Sequence, residues 1–379
     1  MLDSFARLES AGNSRSGTLL EIYHSGRPLA FELDSDFIKQ IFSTDDLETY
    51  LFTAGVAADP DLFSMAHNGR PLAVSSTDDI LRGLSAGSTL SLHGIQRRWP
   101  AAGRFASEVG EYFGSHVVVN VFIALSGGQA YPLHYDTQDL FILQAEGEKQ
   151  WRVFRKWEVS DDPSVSIDHL GPPIIETKLS SGRCLYVPRG HYHSVSAADC
   201  GSTHTALGIH PVRIGDLGTR LLSPRRGLTT ADQPISVQDL GGIGRELESL
   251  AQEIKQFALC GDAGEHVLQL LRWDLSRQNP LPGNYLNTVR KIDSAGAGTL
   301  FRRRPGVRFR CVLDGDRLFL LAHDFALPFP RKIEPAVRAL LTKTHFSSTD
   351  FSQALTIEAA LHLLKRLAVG GCLEIVPDE

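Results

Sequence analysis

Strand-like alternation marks one stretch of the chain, and helical spacing marks another. Val117-Val118-Val119-Asn120-Val121-Phe122-Ile123 is a run of branched and aromatic residues that predicts a buried strand. Ser126-Gly127-Gly128 breaks it. Further strand runs follow at 140–144, 150–154, 177–179, 183–187 and 203–209, with Gly147-Glu148 as a turn between two of them. Short strands separated by Gly and Pro turns predict an antiparallel sandwich or barrel. Upstream, residues 1–100 are mixed, with short helices at 36–42 and 43–51 and a strand at 88–92. A helix over 104–113 then stops at Gly114. Beyond about Pro211 the period changes. Leu247, Leu250, Ile254 and Phe257 recur at three- and four-residue steps, which predicts one amphipathic helix over 243–259; another is expected over 266–275. From about Leu300, strands at 307–312 and 317–321 flank the turn Asp314-Gly315-Asp316. Residues 325–331, with Pro328 and Pro330, predict a loop. Helices at 335–341 and 357–368 precede a closing strand at 372–376. The pattern is that of an α+β chain in three parts, 1–211, 212–299 and 300–379.

Composition narrows the class. The 379 residues are too many for one ordinary core. A hydrophobic share of 42% beside 22% charged residues is that of a water-soluble folded chain. A net charge of −6 weighs against broad non-specific nucleic-acid binding. No apolar run has the length of a membrane span. Met1-Leu2-Asp3-Ser4-Phe5 lacks the basic region and apolar core of a signal peptide. The five cysteines, Cys184, Cys200, Cys260, Cys311 and Cys372, are scattered without a CxxC pair and read as reduced thiols of a cytoplasmic protein.

Candidate chemistry lies in the β-rich part. His134 and Asp136 stand one residue apart, and on an extended chain such positions share a face, so both can grip one ion. A histidine from a distant segment can close the triangle. Val187-Pro188-Arg189-Gly190-His191-Tyr192-His193 offers two, His191 and His193, after a Pro/Gly turn. Two His and one carboxylate on one side of a metal leave the other side open to reactants, as in non-haem Fe(II) oxygenases. Lys149 is the second feature. A lysine in a sheet interior needs a partner for its charge, which a dicarboxylate with its other end on the metal would supply; the plainer reading leaves it exposed beside Glu148 in a turn. Asn120, on the strand before His134, is either a further site residue or a solvated amide at an edge or bulge.

His134-Tyr135-Asp136, the run Asp139-Leu140-Phe141-Ile142-Leu143-Gln144, Gly147-Glu148-Lys149-Gln150-Trp151 and Tyr186-Val187-Pro188-Arg189-Gly190-His191-Tyr192-His193 together resemble the JmjC-type ribosomal oxygenases. These are cupin-like, Fe(II)- and 2-oxoglutarate-dependent protein hydroxylases. The resemblance implies a JmjC double-stranded β-helix over 1–211, a helical dimerisation region over 212–299 and a winged-helix-like domain over 300–379. Its register selects His193 over His191, so that His134, Asp136 and His193 hold Fe(II). It makes Lys149 the partner of the distal carboxylate of 2-oxoglutarate, sets Asn120 and His204 near that cosubstrate, and makes O2 the second cosubstrate. It further implies a homodimer acting on a protein substrate, with an Arg or His side chain of a ribosomal protein as the expected target. A small ribosomally made peptide is the alternative target. Phe122 departs from a tyrosine found in some members, which removes one hydroxyl from the cosubstrate's surroundings. A different class of reading makes the chain a non-catalytic cupin and winged-helix regulator. In it, Arg302-Arg303-Arg304, Arg308 and Arg310 form a phosphate-binding strip on nucleic acid. The mild basicity of 301–379 favours instead a partly paired, solvated strand face.

Overall fold

Two strands longer than the alternation suggests organise the first part of the molecule. The structure, a computed structural model, describes residues 18–56, 60–126, 132–158, 166–221, 243–259, 263–277, 283–322 and 325–377. The first five residues, Gly127-Gly128 and Cys260 lie outside these, as do the side chains of Cys200 and Phe257. The chain divides into two units, Met1–His210 and Pro211–Glu379. In the first unit the strands are β1 (Leu29–Glu32), β2 (Phe63–His67), β3 (Arg70–Leu72), β4 (Thr89–Leu92), β5 (His116–Ser126), β6 (Asp139–Lys156), β7 (Ile175–Ser180), β8 (Arg183–Val187) and β9 (His191–His210). They pair in the order β1-β8-β6-β9-β5-β4-β2-β3, with β7 added on β6. Every ladder is antiparallel.

The turn expected at Gly147-Glu148 is instead a bulge inside β6. Register slips between Gln144 and Glu146 and again between Gly147 and Lys149. Before the bulge β6 pairs with β8; after it, with β7. Each bulge adds residues to one strand, and an odd offset reverses which face every later side chain takes. Leu140 and Ile142 line the interior at even numbers, whereas Lys149 and Trp151 line it at odd ones. Unbroken alternation would have put Lys149 outside. The bulge leaves no backbone carbonyl stranded. Gly182 N–H donates to Gln144 O (3.0 Å), Ser181 N–H to Gly147 O (3.1 Å) and Ser181 Oγ to Ala145 O (2.6 Å). The Gln144 amide donates to Glu146 O (2.8 Å) and to Ser202 Oγ (2.7 Å).

The two faces of the main sheet then carry different cores. Phe141, Leu143, Ala145, Val119, Val121, Tyr186 and Leu207 pack outward with Leu19, Ile38, Tyr50 and Phe105 of the N-terminal helices and with Phe42 between two of them. Those helices run over Leu19–Ser25, Ser35–Lys39, Asp46–Ala54, Thr77–Ser85 and Pro100–Phe113, the last ended by Gly114 in the left-handed region (φ 59°). Inward, Leu140, Ile142, Trp151, Val153, Leu179, Leu185, Val187 and Ala206 form a second cluster.

In the second unit, β10 (Phe301–Arg303) lies between β14 (His345–Phe346) and β15 (Leu373–Ile375), while β11 (Phe309–Asp314), β12 (Arg317–Ala322) and β13 (Phe325–Pro330) form a meander. The last of these replaces the loop expected over 325–331. Pro328 and Pro330 are two apart, so both missing N–H groups fall on one side, and an edge strand tolerates that on its outer side. Helices run over Ile214–Leu221, Ile243–Leu259, Ala263–Ser276, Tyr285–Lys291, Glu334–Thr342 and Ile357–Val369. Four of the five arginines of the candidate strip are engaged within their own unit. Arg302 meets buried Glu374 at 2.6 Å, Arg310 and Arg308 meet buried Asp274 at 3.0 and 3.9 Å, and Arg304 covers the Tyr285 ring. Among the described residues no helix is long and apolar enough to cross a membrane.

Gly147 has φ +64°, and a methyl group there would sit 1.8 Å from the Gly201 carbonyl oxygen. Gly147→Ala should therefore lower stability by more than about 2 kcal/mol, read as a fall in the urea midpoint. A midpoint equal to wild type would mean that the bulge is not held as described.

Candidate metal centre and cavity

The segment holding His134 and Asp136 is not a regular strand. It has a single antiparallel bridge, in which His134 N–H donates to His193 O (3.2 Å) and His193 N–H donates to His134 O (2.8 Å). Pro132, just upstream, has no N–H to extend a ladder. Gly190 N–H adds a bond to Asp136 O (2.9 Å). The Pro188–Gly190 turn is fixed in its own right: Gly190 has φ +81°, and the Asp139 carboxylate accepts from Arg189 N–H (3.0 Å) and from the Tyr186 hydroxyl (3.2 Å). Two residues distant in sequence from His193 are thereby held against it by backbone bonds.

One ligand atom each of His134, Asp136 and His193 lies within 4.8 Å of the others. Asp136 Oδ2 is 3.8 Å from His134 Nε2 and 3.4 Å from His193 Nε2. Both imidazoles are oriented from behind. His134 Nδ1 meets Pro132 O at 2.8 Å and His193 Nδ1 meets His191 O at 3.1 Å. A carbonyl can only accept, so each Nδ1 carries the hydrogen and each Nε2 offers its lone pair to the shared point. Burial, with His134 close by, pushes His193 down to about 3, so it stays neutral and able to ligate. Burial raises the Asp136 carboxyl, an effect that the neighbouring His134 opposes. The donor set of two imidazoles and a carboxylate fits a first-row divalent metal. His191 bonds Pro188 O (3.1 Å) through its own Nδ1 and is not among the converging ligands.

These groups open into a cavity of about 280 Å³. Its apolar walls include Leu140, Ile142 and Val195, and it also reaches Lys149, Asn120 and His204. Lys149 is 4% exposed, and no side-chain hydrogen bond or ion pair joins its ammonium to a described residue. Burial pushes its ammonium down to about 8. The exposed alternative for Lys149 is thus excluded; the bulge turned it inward. Asn120 Oδ1 accepts from Gly94 N–H (2.9 Å), which leaves its NH2 as the part able to donate into the cavity. His204 stacks on Phe122 (centroids 4.9 Å apart, 13° between planes) and meets Trp151 edge-on at 5.7 Å. Burial, then the Lys149 charge, holds His204 well below the usual histidine range. Lining residues that escape a reading of the alternation include Gln138, Trp151 and Thr89. Trp151 passes for a core aromatic, and Thr89 for one more residue of a short strand.

Residues 91–217 match the family model of the JmjC domain. Ribosomal oxygenase 2 of Bos taurus is 31% identical over 221 residues, covering 55% of this chain and 48% of that protein. The bifunctional lysine-specific demethylase and histidyl-hydroxylase NO66 of Dictyostelium discoideum is 30% identical over 252 residues, 60% of this chain and 48% of that protein. The chain spans about half the length of these relatives. Among solved structures, Escherichia coli YcfD superposes with a TM-score of 0.55 at 18% identity, over 92% of this chain and 95% of that one. A structure of YcfD, a ribosomal oxygenase, in complex with cobalt and 2-oxoglutarate gives 0.51 at 19% identity, over 93% and 95%. At such identities the likeness is one of fold. Residues 91–217 thus match a JmjC domain, and the relatives that the chain matches include ribosomal oxygenases.

An uncompensated buried cation costs stability. The folded value of Lys149, about 8, lies below the ordinary 10.5. Between those values the unfolded chain holds a proton that the folded chain has released, so stability of the ligand-free protein rises with pH across that window and is lowest beneath it. Lys149→Met should raise the melting temperature at neutral pH and remove this component of the pH slope, both read by scanning calorimetry. A variant that melts lower with an unchanged slope would contradict the assignment.

Proposed function

We propose that the protein is an Fe(II)- and 2-oxoglutarate-dependent oxygenase that hydroxylates an amino-acid side chain of a protein substrate. One observation carries this reading: a buried, unpaired lysine shares a cavity with three converging metal ligands. A metal alone does not call for Lys149. A molecule with a chelating 2-oxo acid at one end and a carboxylate at the other satisfies both. In this reading His134, Asp136 and His193 hold Fe(II), Lys149 holds the distal carboxylate through a charge-assisted contact, and Asn120 and His204 flank the cosubstrate. Iron and 2-oxoglutarate, when bound, supply the means of converting a C–H bond to C–OH with O2, with release of succinate and CO2. The chain's own contribution is placement and dryness. Leu140, Ile142 and Val195 exclude water around the cosubstrate, and the half-exposed His134 and Asp136 put the reacting end toward solvent, where a large substrate can reach it.

The ribosomal oxygenase relatives support a ribosomal protein as the target, through an Arg or His side chain; a small ribosomally made peptide fits the same opening. The helix Ile243–Leu259 supports a homodimer, since Leu247 is 60% exposed on the face that carries half-buried Leu250 and Ile254. The strands and helices of 300–379 are assigned to a winged-helix-like domain and those of 212–299 to the dimerisation region. A cytoplasmic setting agrees with free thiols at Cys184, Cys311 and Cys372. Binding to nucleic acid is not part of this reading, because Arg302, Arg308 and Arg310 already face carboxylates of their own unit.

Protein incubated with Fe(II), 2-oxoglutarate, O2 and ribosomal-protein substrates should form succinate, and intact-mass spectrometry should find one added oxygen atom on the target. His134→Ala should lose both by at least about a hundredfold, since a missing ligand leaves no competent site. Succinate formation no greater than in that variant would end the oxygenase reading.

A further inference from the structure

Residues 132–136 form an edge of the sheet. His134 exchanges both backbone bonds with His193 of β9, donating at 3.2 Å and accepting at 2.8 Å. On an extended chain successive residues turn their N–H and C=O to opposite sides, so those of Leu133 and Tyr135 point away from β9. Among the described residues, the backbone N–H and C=O of Leu133 and Tyr135 have no hydrogen-bond partner. A row of unpaired groups of this kind is a template for a further strand. The side chains are sorted in the same way. His134 and Asp136 face the cavity, whereas Leu133 packs on the opposite face with buried Phe154, Leu170 and Tyr192. Tyr135 joins Leu133 there, edge-on to Tyr192 (centroids 5.2 Å apart, 88° between planes) and 5.7 Å from the Trp157 ring. Trp157 is fixed by its own N–H, which donates to Gly190 O at 2.7 Å. Tyr135 and Trp157 are each 37% exposed. The outer side of the ligand-bearing segment thus carries two half-exposed rings over a buried apolar base.

We infer that residues 132–136 are a docking edge for the protein substrate, to which an extended segment of that substrate adds as one more strand. Residues directly opposite each other in a ladder send their side chains to the same face. The substrate residue opposite His134 therefore points into the mouth of the cavity, and its neighbour, opposite Tyr135, points onto the Tyr135 and Trp157 rings. One register delivers a target side chain to the metal cluster and an adjacent apolar or aromatic side chain to the aromatic pair. The occupant is an extended peptide because the groups left open are backbone ones, and its neighbouring side chain is apolar because the rings that meet it lie over an apolar base. This inference rests on the proposed hydroxylation of a protein side chain. It adds that the chain reads the backbone and the neighbour of the target as well as the target itself.

The experiment measures binding of short fluorescein-labelled peptides to protein loaded with Mn(II) and 2-oxoglutarate, without O2. Each peptide carries a central Arg or His between two leucines. In one control series the leucines become glutamates; in another, one backbone nitrogen at a time is methylated. The leucine-flanked peptides should bind about tenfold more tightly than the glutamate-flanked ones. Antiparallel pairing, as in the other ladders of this unit, turns alternate amides toward the edge. Methylation at either neighbour of the central residue should therefore weaken binding on the order of tenfold, and methylation at the central residue should not. Trp157→Ala should weaken the leucine-flanked peptides by a similar factor and leave 2-oxoglutarate affinity unchanged, and Trp157→Phe should restore most of the loss. Absence of peptide binding, a methylation effect without alternation, or wild-type affinity in Trp157→Ala overturns the inference. Binding with the expected pattern, but without succinate formation when Fe(II) and O2 are supplied, would leave the docking edge standing and end the oxygenase reading instead.

Discussion

The site depends on a reversal of facing within one strand. At the Gln144–Lys149 bulge, β6 changes which parity of residue points inward, and Lys149 reaches the interior only because of it. The reversal is possible because Gly147 takes a left-handed conformation pressed against the Gly201 carbonyl. It is stable because each carbonyl freed from the ladder finds a donor in Ser181, Gly182 or Gln144. A strand without the bulge would keep its hydrogen bonds and lose the cavity's cation.

The same bend explains how one chain builds a deep pocket with little irregular structure. Leu140 and Ile142 precede the bulge and Lys149 and Trp151 follow it, so β6 supplies two walls of a single cavity. His193 and Val195, then His204 and Ala206, show the same change of parity along β9. The outer face of the sheet packs with the N-terminal helices, which gives these polar interior groups a rigid wall. Rigidity matters because the pocket is costly in the absence of a ligand. It holds an ammonium without a counter-charge and several unbonded polar atoms. Stability surrendered at such positions is common where binding requires it.

Much of this was legible in the residues. The His134/Asp136 pair, the Pro/Gly turn before His193 and the strand-rich character of the first unit all follow from spacing and composition. The choice between His191 and His193 did not, because both follow the same turn; backbone bonds from His134 decide the geometry. Gly147-Glu148 read as a turn because a glycine between two β runs has that meaning in most chains. Only the continuous pairing with β9 shows a bulge. Phe325–Pro330 read as a loop because two prolines oppose a strand, yet they fall on the one edge that tolerates them. Thr89 gave no signal, since nothing in sequence says that a hydroxyl on β4 will be buried without a partner.

The central claim is that one ligand is held at two ends, by a metal at the His134–Asp136–His193 cluster and by Lys149. The most direct measurement is a calorimetric titration of 2-oxoglutarate, without O2, into wild type and Lys149→Met, each with and without Fe(II). The two-ended site predicts tight binding only when metal and lysine are both present, with a loss of at least about tenfold on removing either. Binding that is indifferent to the metal, or as tight in Lys149→Met as in wild type, would contradict it.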